Sequence, residues 1–346
     1  MTEFFGQFGP QYLLFLAKAI TWVVAILLVS ASFFSLVREA REHRGQEHLE
    51  ATSLNQRYEA MADALKHRLL SAHELKQEHK QQKAEHKARE KAERKSHVTR
   101  PRVFVLDFHG DMAATATDNL REEISAVLQV VRAQDEALLR LESQGGLVHA
   151  YGLAASQLQR LRDKKLRLTV AVDKVAASGG YLMACVADRI IAAPFAVVGS
   201  IGVVAQLPNF NRLLKKHEVD FELHTAGEFK RTLTMFGENT EAARAKFREE
   251  LEDTHALFKS FVAENRPALE MDKVATGEHW FGARALALKL VDEIKTSDDF
   301  LLEKLKNADL VQVSFRRKQT LGDRLAHGLA KLTSSVGVDK QWPRSF

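Results

Sequence analysis

From residue 102 onward the chain alternates short apolar runs with amphipathic ones, and this alternation limits the folds open to it more than any other feature. Val103-Phe-Val-Leu-Asp-Phe108 is strand-like; Leu120, Ile124, Val127 and Val131 then recur at helical spacing, with Asp118 a plausible cap. Ala137–Glu142 is a second strand, Ala154, Leu158 and Leu161 mark a second helix, and Leu166–Val172 is a third strand. Strand and helix in strict succession predict an α/β domain with a largely parallel sheet. A further helix should begin in the turn at Ser178, followed by strands in "RIIAAP" and "VVGSIGVV". Tyr181–Val204 is apolar enough to suggest a membrane span. Asp188 and Arg189 interrupt it, however, and charges at a helix centre cost about 2.5–3.5 kcal/mol each on insertion scales, so a buried helix followed by strands is expected. From Thr240 to Asn265, Ala243, Phe247, Leu251, Phe258 and Val262 line one face of a long helix, with Asn239 or Thr240 as cap and Pro267 beyond its end.

The flanks differ in kind. Ala19–Val37 is an uncharged, mostly apolar run of 19 residues, extended by Leu13–Leu16 beyond Lys18. It is long enough to cross a hydrocarbon core of about 30 Å, and its bulky end at Phe33, Phe34 and Leu36 is unlike a cleavage site, so a retained anchor is expected. Arg38, Arg41 and Arg44 follow the run and, by the positive-inside rule, would hold the rest of the chain in the cytoplasm. Residues 38–100 carry 15 Lys/Arg against 11 Asp/Glu, which accounts for +4 of the formal +5 charge. Pairs such as Glu85 with Arg89 and the thin apolar content read as a solvated helical arm, with a sparse stripe of Leu54, Met61, Leu65 and Leu69 available to a partner. Seven of the 14 histidines lie there, but His73, His79 and His86 lack the spacing that puts two ligands on one helical face. No basic groove with interleaved aromatics marks the folded part, which argues against nucleic acid. Cys185 is the only cysteine, so there is no disulfide framework. The last 40 or so residues read as a peripheral basic tail. The expected organisation is an anchor segment at 1–37, an arm at 38–100, a catalytic domain at 101–300 and the tail at 301–346.

Two glycine pairs carry the chemistry. In "AASGGY" the glycines after Ser178 permit a sharp strand-to-helix turn, where a serine is either an ordinary N-cap or a nucleophile beside free N–H groups. Gly145-Gly146 in "RLESQGGLVHA" ends the preceding strand, and amides there can face the crevice at the carboxyl ends of parallel strands. Two such turns could form an oxyanion hole. The activator of Ser178 is not evident locally: the G-x-S-x-G elbow is absent, His217, His224 and His255 fit surface positions equally well, and one lysine cannot be singled out among 50 Lys/Arg.

"LESQGG", "VAASGGY", "AAPFAVVGSIGVV", "HTAGEFKRTLTMFGENT" and "ATGEHWFGARALALKLVDEI", in this order over residues 100–295, resemble the signal peptide peptidase A family of membrane serine proteases, and the anchor and charged arm suit its inner-membrane type. The resemblance implies a ClpP/crotonase-like β-β-α fold and a Ser/Lys dyad. It makes Ser178 the nucleophile, Lys230 in "GEFKRT" the general base, Ser200 in "GSIGV" the hydroxyl that orients the lysine, and Gly179 and Gly146 the donors of oxyanion-hole N–H groups. The family's glycine pair usually follows a proline, and here Gln144 stands in its place. Also implied are peptide substrates bound by strand addition, signal-peptide remnants among them, no metal or cofactor, and dome-like homo-oligomers in which the dyad can form between protomers. The catalytic domain would stand outside the cytoplasm, against the advice of the three arginines. Two other functions share these residues: a catalytically silent membrane scaffold, and a crotonase-like acyl-CoA enzyme that would use the glycine amides without needing Ser178.

Overall fold

The computed structural model describes residues 48–87 except 79, 82, 85 and 86, and residues 100–316 except 228. Residues 49–315 form one compact unit. Its strands are β1 (His48–Ser53), β2 (Arg102–His109), β3 (Glu136–Glu142), β4 (Arg167–Val172), β5 (Val175–Ala177), β6 (Arg189–Ala192), β7 (Val197–Gly199), β8 (His279–Phe281), β9 (Glu293–Ile294) and β10 (Asp309–Arg316). The helices referred to below are α1 (Leu54–Leu69), α2 (Thr117–Val130), α3 (Val148–Asp163), α4 (Gly179–Ala184), α5 (Asn211–Lys216), α6 (Glu241–Asn265), α7 (Met271–Val274), α8 (Gly282–Ala287) and α9 (Ser297–Leu305).

One sheet runs β1-β10-β2-β3-β4-β6-β9, with parallel pairing from β10 through β9. A smaller sheet runs β5-β7-β8, parallel then antiparallel. The central strands are buried on both faces, which is why β2, β3 and β4 read as nearly unbroken apolar runs. Alternation along β2 divides the core in two. Phe104, Leu106 and Phe108 join Leu120, Ile124, Leu158 and Tyr181 on one face, while Val103 and Val105 join Ile191, Phe300, Leu301 and Leu310 on the other. The chain enters the small sheet directly from the large one, at β4 to β5 and again at β6 to β7.

The helices keep their expected faces, with differences at the ends. Leu120, Ile124 and Val127 of α2 are buried, but Asp118 lies inside the first turn and the cap position is Ala116, which makes no side-chain cap bond. Thr240 caps α6 by accepting the Ala243 amide at 3.2 Å. Only Phe258 and Val262 of the α6 stripe are fully buried, because its amino-terminal half extends past the core. Tyr181–Val204 does form a buried helix and strands; the strand in "VVGSIGVV" stops at Gly199, where the chain turns out of the sheet.

Both flanks contribute to the large sheet, beyond the boundaries expected at 100 and 300. Within the segment read as a helical arm, β1 precedes α1, which Ser53 caps by accepting the Gln56 amide at 3.4 Å. Leu54 is buried, whereas Met61, Leu65 and Leu69 of the same stripe are exposed. The boundary expected at 300 falls inside α9, which buries Phe300 and Leu301, and the segment read as a tail then supplies β10 between β1 and β2. Asn55 ties the two ends together: its Nδ2 donates to Ala308 O at 3.1 Å and its Oδ1 accepts Leu310 N at 2.7 Å. The apolar run 19–37, the Glu85/Arg89 pair and residues 317–346 lie outside the described residues. Among the described residues no helix is long and apolar enough to cross a membrane, and no group of His, Cys, Asp and Glu could hold a metal ion.

Candidate active site

The turn at Ser178 is set by the small sheet. β5 is pinned on one side by β7, and Ser178 N then donates to Gly199 O at 2.8 Å, so the chain must reverse immediately to start α4. Ser178 takes φ +52° and ψ −121°, a conformation that costs a residue with a Cβ about 1–3 kcal/mol and persists only where its surroundings over-determine it. Here the Gly199 carbonyl on one side and the bond from Leu182 N to Ser178 O, 3.0 Å, on the other hold it. Every residue of α4 is buried.

The second glycine turn lies against the first. Ser143, just past β3, bridges to Ala176: its amide donates to Val175 O at 2.9 Å, and its carbonyl accepts Ala177 N at 3.0 Å. Gly145 has φ +89°, and a Cβ on it would stand 2.6 Å from Gly179 N and 2.8 Å from Ser178 Cβ. At Gly146 a Cβ would meet Met112 O at 2.2 Å, and at Gly179 the Tyr151 ring at 2.4 Å. The closeness of these backbones is the reason for glycine at each position. Gly145 N–H is taken by Ser143 Oγ at 3.0 Å. The Gly146 and Gly179 amides donate to no described group, so two unused N–H donors lie on adjoining turns beside the Ser178 hydroxyl. Gln144 is exposed, and Ser143 anchors the loop that a proline would otherwise stiffen.

These turns open on a cleft of about 1360 Å³ lined by Ser178, Ser200, Gln144, Gly145 and Gly146, with Met112, Leu147 and Val148 forming an apolar wall. Ser200 also has positive φ, +54°, and its amide donates to Glu278 O at 2.6 Å. Asp111 lies at the same cleft; burial favours its neutral form, but bonds from the Thr115 hydroxyl and amide outweigh burial and hold its carboxyl below the usual range. His255 reaches the cleft from α6 and approaches Ile201 O at 3.3 Å, whereas His217 and His224 are exposed and absent from the lining. Lys230 is not brought to Ser178: it is exposed, outside the cleft lining, in a turn where its amide donates to Gly227 O at 3.2 Å. The surrounding segment exposes Val204, Leu213, Phe221, Phe229 and Phe236, of which Phe221 and Phe236 approach each other at 5.7 Å between ring centroids. Ser143, Tyr151 and Met112 escaped the sequence reading. Only the position of Ser143 at a strand end next to the glycine pair could have marked any of them.

Comparison with known proteins agrees with the resemblance. The model of "Peptidase family S49 N-terminal" matches residues 7–158 and that of "Peptidase family S49" matches residues 160–311. The chain is 56% identical over 309 residues to the probable protease SohB of Haemophilus influenzae, covering 86% of this chain and 88% of the relative. It is 50% identical over 336 residues to the probable protease SohB of Buchnera aphidicola subsp. Acyrthosiphon pisum, covering 96% and 98%. Among solved structures, a mutant of the 1510-N membrane-bound stomatin-specific protease with a substrate peptide aligns over 68% of this chain and 100% of that one, with 13% identity and a TM-score of 0.44. Since the two family models between them span both the glycine turns and nearly all of the described fold, the chain belongs to peptidase family S49.

Proposed function

We propose that the chain is a membrane-anchored serine endopeptidase in which Ser178 of one protomer is activated by Lys230 of a neighbouring one. The observation that carries the serine half is the strained Ser178 flanked by the unused amides of Gly146 and Gly179. Membership of a peptidase family supplies the reaction class, and the repeated passage from large sheet to small sheet supports a ClpP/crotonase-like fold. The position of Lys230, exposed and away from the cleft in a segment rich in exposed apolar side chains, favours a dyad completed across a contact between copies.

In the reaction, Lys230 removes the Ser178 proton as Oγ attacks the peptide carbonyl, and the Gly146 and Gly179 N–H groups stabilise the oxyanion. Collapse of the tetrahedral intermediate breaks the C–N bond, and the lysine ammonium gives its proton to the departing amine. Water, deprotonated by the same lysine, then attacks the acyl carbon; the C–Oγ bond breaks, the lysine ammonium returns its proton to Ser178 Oγ, and the acid leaves. Ser200, lining the same cleft, orients the lysine. The substrate is an extended peptide bound by strand addition. Ala19–Val37 anchors the chain in the bacterial inner membrane with the catalytic domain on the periplasmic side. An active periplasmic reporter fused at residue 100 is expected, and an active cytoplasmic one would reverse that orientation.

Complementation tests the dyad. Ser178→Ala and Lys230→Ala should each abolish peptide turnover. Mixed equally and allowed to exchange subunits, they should regain about one quarter of wild-type activity, because that share of head-to-tail contacts pairs an intact serine with an intact lysine. Wild-type turnover by Lys230→Ala would sink the dyad, and a mixture that stays inactive would place both residues in one chain.

A further inference from the structure

Behind the two glycine turns lies a buried row of hydroxyls. Gly145 N donates to Ser143 Oγ at 3.0 Å, Ser143 Oγ lies 2.6 Å from the Tyr151 hydroxyl, and the Tyr151 hydroxyl donates to Asp111 O at 2.8 Å. Because a carbonyl only accepts, the tyrosine proton is committed to Asp111, so Ser143 must donate to Tyr151 and accept from Gly145. All three bonds run in one direction, the arrangement in which each polarises the next. Ser143 and Tyr151 are essentially excluded from solvent, at 2% and 0% exposure.

The same two residues touch both halves of the site. Tyr151 Cγ and Cβ lie 2.4 and 2.8 Å from where a Gly179 Cβ would be, and the Ser143 carbonyl oxygen lies 2.6 Å from where a Gly180 Cβ would be. Gly110 lies over the row, its absent side chain leaving room 2.4 Å from both Ser143 Oγ and the Tyr151 hydroxyl. Tyr151 therefore bears through its ring on the Ser178–Gly179 turn and through its hydroxyl on the Gly145–Gly146 loop, the two elements that carry the unused amides.

Building on the reading of those amides as an oxyanion hole, we infer that Ser143 and Tyr151 are positioning residues that set the separation and aim of the Gly146 and Gly179 N–H donors. Neither touches the reacting atoms. Their effect is confined to the transition state, where a donor displaced by a fraction of an ångström loses most of its value.

Tyr151→Phe keeps the ring and removes the hydroxyl; Ser143→Ala cuts the row at its middle. The full-length protein is treated with an alkyl fluorophosphonate, whose P=O enters the hole as Ser178 is phosphonylated. Each variant should label to the wild-type amplitude with a rate constant lower by about tenfold to a hundredfold, since an oxyanion donor is displaced and not removed. The double variant should be no slower than the slower single one, as members of one row act as a unit. Wild-type rate constants in both variants, or a reduced amplitude with an unchanged rate constant, would overturn the inference, the second by showing a loss of folded protein only. Labelling that survives Ser178→Ala is a separate result: it refutes the reading of the site and not the role of the row within it.

Discussion

Gly145→Ala tests the contact between the two turns directly. At φ +89° an alanine costs about 1–2 kcal/mol in backbone strain alone. Its Cβ would also stand 2.6 Å from Gly179 N and 2.8 Å from both Ala177 O and Ser178 Cβ, short of ordinary contact at 3.4 Å. None of these atoms belongs to a flexible side-chain end. Relief therefore moves one turn off the other by roughly 0.5–1 Å, and overpacking of this sort adds about 1–3 kcal/mol. The expected total is a loss of about 2–5 kcal/mol in stability together with a fall in kcat of about 10- to 10²-fold, the cost of displacing and not removing oxyanion donors. KM should change little, because the hole binds charge that develops only in the transition state. Peptide turnover and thermal unfolding on the same preparation measure both. Gly152→Ala is the control: it lies within α3 with nothing within 4 Å of its Cβ position and should gain about 0.5–1 kcal/mol with kcat unchanged. Wild-type kcat in Gly145→Ala, with stability lowered as expected, would show that the turns touch without forming an oxyanion hole; wild-type stability would refute the contact itself.

Two further predictions concern buried carboxylates. Burial, with the nearby Asp107 charge, raises Glu123 to about 7 although Phe315 N donates to its Oε1; the other oxygen is buried without a partner among the described residues. The native state thus binds more protons than the unfolded chain between about 4.5 and 7, and stability falls as pH rises through that window. Glu123→Gln should therefore stabilise by about 2 kcal/mol at pH 8 and not at pH 4, as read from urea midpoints, and equal midpoint shifts at both would refute it. Asp135 is the opposite case: burial opposes its charge, but the Arg102 side chain, with the Arg102 and Arg132 amides, holds its carboxyl below the usual range. Asp135→Asn should cost about 2–3 kcal/mol at neutral pH, and the difference should vanish as the pH falls through the depressed range of Asp135; a loss that persists in acid would point to packing instead.

Much of the fold was legible because its rules are local. Strand-like runs at 103–108, 137–142 and 166–172, the period of α2 and α3 and the Thr240 cap depend on residues within a few positions of each other, and each formed nearly where expected. The turn at Ser178 was legible for the same reason, since glycines that permit a sharp reversal are a local signal, whereas the role of nucleophile came to Ser178 through resemblance alone. Tertiary structure decided what depends on distant partners. In sequence alone β10 reads as tail, because a single alternating strand has no value until the open edge of β2, some 200 residues earlier, accepts it. Asn55 became a bridge to β10 across 255 residues, and the Ser143–Tyr151 pair became part of a row only through Asp111, 40 residues before Tyr151. Composition singles out no lysine, and Lys230 stood out through resemblance alone; within one copy of the fold it remains exposed and apart from the cleft. Sequence by itself determined the order of the elements and the glycine turns, since backbone dihedrals and apolar periodicity are properties of neighbours. Only the tertiary structure decided which backbones meet and which amides stay unbonded, because those follow from pairing edges far apart in the chain.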